Sequence, residues 1–144
     1  MDVKRLLVGT IAGGVALYAT GYLIFVVIFG DFYAANVGSA TGVDRTTQIQ
    51  WALALASLAY AALITFTMDN RSDAMSLAVG ARIGAIVGFL LWLTADFVFY
   101  GASNIANLTR TIVDPLLEFV HGGIGGAVIA AALGRISPAG RRGA

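Results

Sequence analysis

Polar and apolar positions along this chain fall into long blocks rather than a fine alternation. No formal charge interrupts the 24 residues of 6–29. A second apolar block covers 49–68. A third covers 83–95 and continues through Asp96 to Tyr100. A fourth runs over 115–134, broken only by Glu118 and His121. A helix rising 1.5 Å per residue needs about 20 residues to cross a hydrocarbon core about 30 Å thick. Each block approaches or exceeds that length. Transmembrane strands would be half as long and would alternate apolar with polar side chains. The pattern therefore predicts an all-α membrane protein, a single four-transmembrane-helix bundle over 1–144 with spans at about 6–29, 48–68, 76–100 and 115–136.

The polar punctuation fits those spans. Gly30 and Asp31 end the first, and a loop holding Gly38, Gly42 and Asp44 leads to Thr46 and Thr47, which read as helix caps. Residues 69–73 separate spans two and three. Gly101 stops span three, and Ser103, Asn104 and Asn107 make a short polar connection. Asp114 followed by Pro115 reads as an N-cap with proline at the first helical position. The first apolar run exceeds the 7–15 residues of a cleavable signal core, so it reads as an uncleaved helix.

Composition agrees with a lipid-facing surface. The chain is 58% hydrophobic and 12% charged, and its mean hydropathy is +0.83; a soluble domain carries about 25% charged residues. There is no cysteine, hence no disulfide or thiolate chemistry. A net charge of +1 with no basic cluster gives no footprint for nucleic acid. Under a four-span arrangement Lys4, Arg5, Arg71, Arg82, Arg135, Arg141 and Arg142 fall on one side, and only Arg45 and Arg110 on the other. Positive residues mark the cytoplasmic side, so both termini are expected there.

Within lipid, helices associate through close packing of small residues, because lipid tails solvate leucine as well as a neighbouring helix does. Gly80, Gly84 and Gly88 recur at steps of four on span three. Gly122, Gly126, Ala130 and Gly134 do so on span four, and Gly9 and Gly13 on span one, where Leu17 interrupts the ridge. Each interior glycine costs a helix about 1 kcal/mol relative to alanine, so this density points to backbones in contact, within one chain or in a homo-oligomer. Aromatic residues gather toward the outer ends: Phe25, Phe29, Phe32 and Tyr33, then Phe97, Phe99 and Tyr100. An interfacial belt accounts for them, with a ligand-stacking site as the alternative.

Charges inside a span cost about 2.5–3.5 kcal/mol each at the helix centre and so need a reason. Asp96, Glu118 and His121 are the candidates. Counted from Pro115, Glu118 and His121 lie about 5 and 9 Å into span four, and Asp96 lies one turn before the outer end of span three. All three are therefore expected in the outer leaflet, with Glu118 and His121 on one face at i, i+3. If the glycine ridges meet, Asp96 approaches that pair. Such a cluster could relay protons, orient a polar ligand, hold a metal, or clip two helices together. The Glu-x-x-His spacing matches that of di-iron bundles, but those need a second such helix, and this chain has a single histidine. No cofactor is implied. Other motifs are weak: Asn107–Leu108–Thr109 matches a glycosylation acceptor, no phosphate-binding glycine loop occurs, no hydrolase triad stands out, and Asp44–Arg45 reads as a solvated pair.

Residues Gly88 to Trp92 with Asp96, then Asn104, Asn107 and Leu108, then Asp114–Pro115 and the acidic residue ahead of Gly122–Gly123, resemble small four-span bacterial inner-membrane families of unknown function. Those families carry a glycine-rich third span, a Tyr-Asp-x-x-Asn stretch and an acidic residue followed by Trp-Gly. Here Ala95–Asp96 replaces Tyr-Asp, and His121–Gly122 stands in place of Trp-Gly. The resemblance covers the second half of the chain and implies a multi-pass protein of a bacterial inner membrane, without an activity. Two functions stay open: a non-enzymatic oligomeric or accessory module that binds a small ligand at the polar cluster, or a small proton-coupled transporter or channel using Asp96, Glu118 and His121. The lipid bilayer is the one partner the composition itself demands.

Overall fold

The computed structural model describes residues 2–69 and 76–136. Arg71, Arg141, Arg142 and most of the segment between the second and third spans lie outside the described residues. Helix α1 covers Val3–Gly21 and continues as a π-helical segment, Tyr22–Ile28, before a short α2, Gly30–Ala35. Helix α3 covers Gln50–Asp69, α4 covers Leu77–Ala102 and α5 covers Leu108–Gly134. Four helices are long and apolar enough to cross a membrane: Val3–Ile28, Gln50–Met68, Leu77–Ala102 and Leu108–Gly134. The chain is an integral membrane protein of the all-α class.

Three helices start on side-chain caps. Asp2 accepts from the Lys4 N–H at 2.9 Å, Ser76 from the Val79 N–H at 3.2 Å and Asn107 from the Arg110 N–H at 2.9 Å. Each cap satisfies an N–H that has no partner inside its own helix. The last of these corrects the expectation at Asp114–Pro115. Asn107 caps α5 instead, so the helix begins seven residues before Pro115, which lies inside it. Lacking an N–H, Pro115 forgoes the bond to the Thr111 carbonyl, a defect that membrane helices tolerate when neighbouring groups compensate. Likewise α3 starts at Gln50, beyond Thr46 and Thr47.

The helices alternate in direction. Arg5 at the start of α1 donates to the Ile136 carbonyl beyond the end of α5, at 3.4 Å, so the two described ends of the chain share one side of the bundle. At the other side the two loops zip together: the Gly38 N–H donates to Ile105 and the Ala40 N–H to Asn104, at 2.9 and 3.0 Å. A methyl group at Gly38 would collide with the Asn104 carbonyl, so only glycine allows this approach.

The extensive α4–α5 contact is backbone against backbone. A methyl at Gly84 would fall on the Gly122 carbonyl, one at Gly126 on the Gly80 carbonyl, and one at Gly88 on the Glu118 carbonyl. On α1, Gly13 faces Ile129 and Ala61, and Gly9 faces Thr65. Leu17 does not break that interface. It is fully buried and fills the notch left by Gly125 on α5. The resulting core joins Leu17, Tyr60, Ala61, Ile64, Met68, Ile129 and Leu133, from mid-height toward the side of the termini. Helix α3 packs mainly on α1 and touches α4 and α5 much less.

Candidate functional site

The side of the bundle near the loops is open where the side near the termini is filled. A cavity of about 790 Å³ lies between the π-helical segment and α3, with α4 and α5 forming its far wall. Arg110, Asp114, Glu118 and His121 line that wall. Their steps of four, four and three put them on one face of α5, as a stripe running from the loop end to the midpoint of the helix. His121 is the central residue of Leu108–Gly134. Its neighbours Leu17 and Tyr60 are likewise central to Val3–Ile28 and Gln50–Met68. The earlier start of α5 thus sinks Glu118 and His121 about 15 and 20 Å from the helix beginning, at 1.5 Å per residue, to mid-height rather than the expected outer-leaflet depth.

His121, 6% exposed, is held at both ring nitrogens. Nε2 lies 2.9 Å from the Leu17 carbonyl. A carbonyl only accepts, so Nε2 carries a hydrogen. Nδ1 lies 2.9 Å from Glu118 Oε2, and one proton occupies that contact, on either atom. With the proton on nitrogen the pair is an imidazolium and a carboxylate; with it on oxygen both are neutral. The net charge is zero either way. Phe25 and Tyr60 present their rings edge-on to the imidazole at 5.4 and 5.9 Å. Gly21 clears space beside it, since a methyl there would already touch the ring at 3.4 Å. The Tyr60 hydroxyl sits in the notch between Gly88 and Gly122, beside Glu118. It is buried and completes no hydrogen bond.

One turn toward the loops, Asp114 accepts a hydrogen bond from the Tyr33 hydroxyl. The Arg110 guanidinium stacks over the Tyr33 ring, 4.9 Å from its centroid. Burial and the adjoining Asp114 carboxylate raise the Tyr33 phenol well above its ordinary range, so it stays a proton donor throughout the physiological range. Asp96 on α4 lies beside Asp114, interacts next with Arg110, and reaches Glu118 more weakly. Its Oδ2 and the Trp92 indole N–H are buried without partners.

The three expected residues thus divide between two adjoining sub-clusters. Glu118 and His121 touch directly; Asp96 instead adjoins Asp114. Arg110, Asp114, Tyr33 and Tyr60 complete the site and were not among the candidates read from the sequence. The step of four from Arg110 through Asp114 to Glu118 was there to be seen, but starting the helix at Pro115 hid it. Tyr33 reaches the site over a hairpin turn that has no periodic signal. Phe25 and Tyr33 also depart from the interfacial belt by lining the cavity, whereas Phe97, Phe99 and Tyr100 are exposed on α4 as a belt requires. Among the described residues no three carboxylate, imidazole or thiolate groups converge as a metal site.

No protein-family model matches the chain, and neither a curated protein nor a solved structure is significantly similar to it.

Proposed function

We propose that this protein is a non-enzymatic membrane module that binds a small ligand in the cleft, with the Glu118–His121 pair as its floor and Arg110 and Asp114 along one wall. The observation that carries this reading is the cavity of about 790 Å³. It lies within the range of roughly 300–1,000 Å³ typical of small-molecule sites, and it combines apolar walls with a few convergent polar groups. Intramembrane ionisable residues that face such a space belong to function by default.

A proton-coupled transporter or channel is the second reading, favoured by the stripe of ionisable groups descending from Arg110 to His121. Against a channel stands the filled half beyond His121, where Leu17, Ile64, Ile129 and Leu133 are buried. The excess of basic residues on the side of the termini supports a cytoplasmic location for that side, with the cleft opening outward. A reporter fused near Val43 should then read external; a cytoplasmic reading would reverse the orientation.

Ser57 lines the cleft, and Ser57→Trp should fill it. Native mass spectrometry of protein extracted in mild detergent should find a small molecule retained by the wild type and lost from Ser57→Trp, with melting unchanged. Equal retention by both, or none by the wild type, would sink the ligand-binding reading.

A further inference from the structure

The chemistry of the cleft selects among ligand classes. Three carboxyl groups, Asp96, Asp114 and Glu118, meet one permanent cation, Arg110, and one imidazole. With every carboxyl ionised and His121 neutral, the cluster would carry two net negative charges, at a depth where uncompensated charge is costly. Two protons cancel them. One is the proton held between Glu118 and His121. The other falls to the adjoining Asp96 and Asp114, since like charges side by side in a poorly solvated site do not both ionise. An entering anion would add to the carboxylate charge. An entering cation can replace a proton.

The walls favour the same class. Tyr22, Phe25, Tyr33, Tyr60 and Trp92 line the cleft, and aromatic faces attract cations, the more so when water is excluded. The Tyr60 side chain, 8% exposed, aims an unpartnered oxygen into this space from α3, opposite Asp114 and Glu118 on α5, and can accept a hydrogen from an ammonium. The titratable groups facing the site are Tyr18 and Tyr22 on the first span, Tyr33 on α2, Tyr60 on α3, Asp96 on α4, and Arg110, Asp114, Glu118 and His121 on α5. Arg110 is stacked on Tyr33 and remains in place.

We propose that the cleft takes a monovalent organic cation, an ammonium group on an apolar body, in exchange for the proton shared by Asp96 and Asp114. This rests on the ligand-binding reading of the cleft. The ammonium lies between the Tyr60 oxygen and the carboxylates of α5, its apolar body lies against Phe25 and Trp92, and the displaced proton leaves toward the loop side. No bond is made or broken beyond the transfer of that proton to solvent.

The probe is 2-phenylethylammonium, with 3-phenylpropionate as the anion and 3-phenylpropanol as the neutral control. Binding to the full chain in detergent is read from Trp92 fluorescence in a Trp51→Phe background, and proton release from the pH of a weakly buffered sample. The ammonium should bind in preference to both controls and release about one proton per cation. Its affinity should therefore rise with pH, by up to about tenfold per unit. Asp114→Asn keeps an acceptor for Tyr33 and should weaken binding on the order of tenfold or more. Asp96→Asn should bring proton release well below the wild-type value. Preference for 3-phenylpropionate, cation binding without proton release, unchanged affinity in a folded Asp114→Asn, or no binding by the cation would each overturn the proposal. If the anion or the neutral probe binds and Ser57→Trp excludes it, the cleft remains a ligand site of another class; if Ser57→Trp alters the binding of no probe, both readings fall.

Discussion

The two halves of this bundle are built from the same helices yet packed by opposite rules. On the side of the termini, α4 and α5 meet through Gly80, Gly84, Gly122 and Gly126 with no side chain between them, and Ile64, Met68, Ile129 and Leu133 fill the rest. On the loop side, continuing the ridge of α4 by steps of four gives Trp92, Asp96 and Tyr100, and the facing stretch of α5 carries Glu118, Asp114 and Thr111. The change comes at mid-height, where Gly88 lies against the Glu118 carbonyl. Close backbone contact in one half holds the helices while the other half stays open around ionisable groups. Stability and chemistry are thus separated along the membrane normal.

A glycine series tests that division most severely. Gly84→Leu should disrupt the bundle, at about 3 kcal/mol or more, because the added side chain meets backbone that cannot step aside. Gly88→Ala should cost less, since one of the two groups it meets is the end of the Tyr60 side chain. Gly101→Ala, on the loop side with nothing within 4 Å, should be neutral or slightly stabilising. Melting in detergent should give that order; equal melting for Gly84→Leu and Gly101→Ala would remove the contrast between the halves.

A smaller effect sharpens the picture of the open half. Glu118→Gln and His121→Gln should couple by about 1 kcal/mol in a double-mutant cycle, since each single change leaves a buried partner unpaired; polar couplings in membranes average about 0.6 kcal/mol. Asp96→Asn with His121→Gln should couple less, because Asp96 interacts chiefly with Asp114. A larger coupling for the second pair would merge the two sub-clusters into one.

The closed half was legible in the sequence and the open half was not, for one physical reason. Close packing in lipid depends on residue size at a fixed step, and size and step are both written in the chain at Gly80, Gly84 and Gly88 and at Gly122 and Gly126. The cleft arises from the way α3 leans on α1, which no periodicity encodes. Glu118 and His121 were recognisable by their charge within a span. Their depth was not, because Asp114–Pro115 imitates a helix start that Asn107 in fact supplies. Tyr33 and the Leu17 carbonyl enter the site through chain reversal and helix packing, which span patterning does not specify.

The π-helical segment has a consequence for chain length. The Phe29 N–H bonds to Ile24, five residues back, at 2.9 Å, so Tyr22–Ile28 spends more residues per turn than an ordinary helix would. Removing a single residue there would allow four-residue bonding again, but it would rotate everything beyond the deletion by about 100°. Gly21 could still face His121, yet Tyr33 would swing away from Asp114 and out from under Arg110. The number of residues between Gly21 and Tyr33 is therefore a structural constant of the site, and in this stretch an altered count would do more harm than an altered side chain.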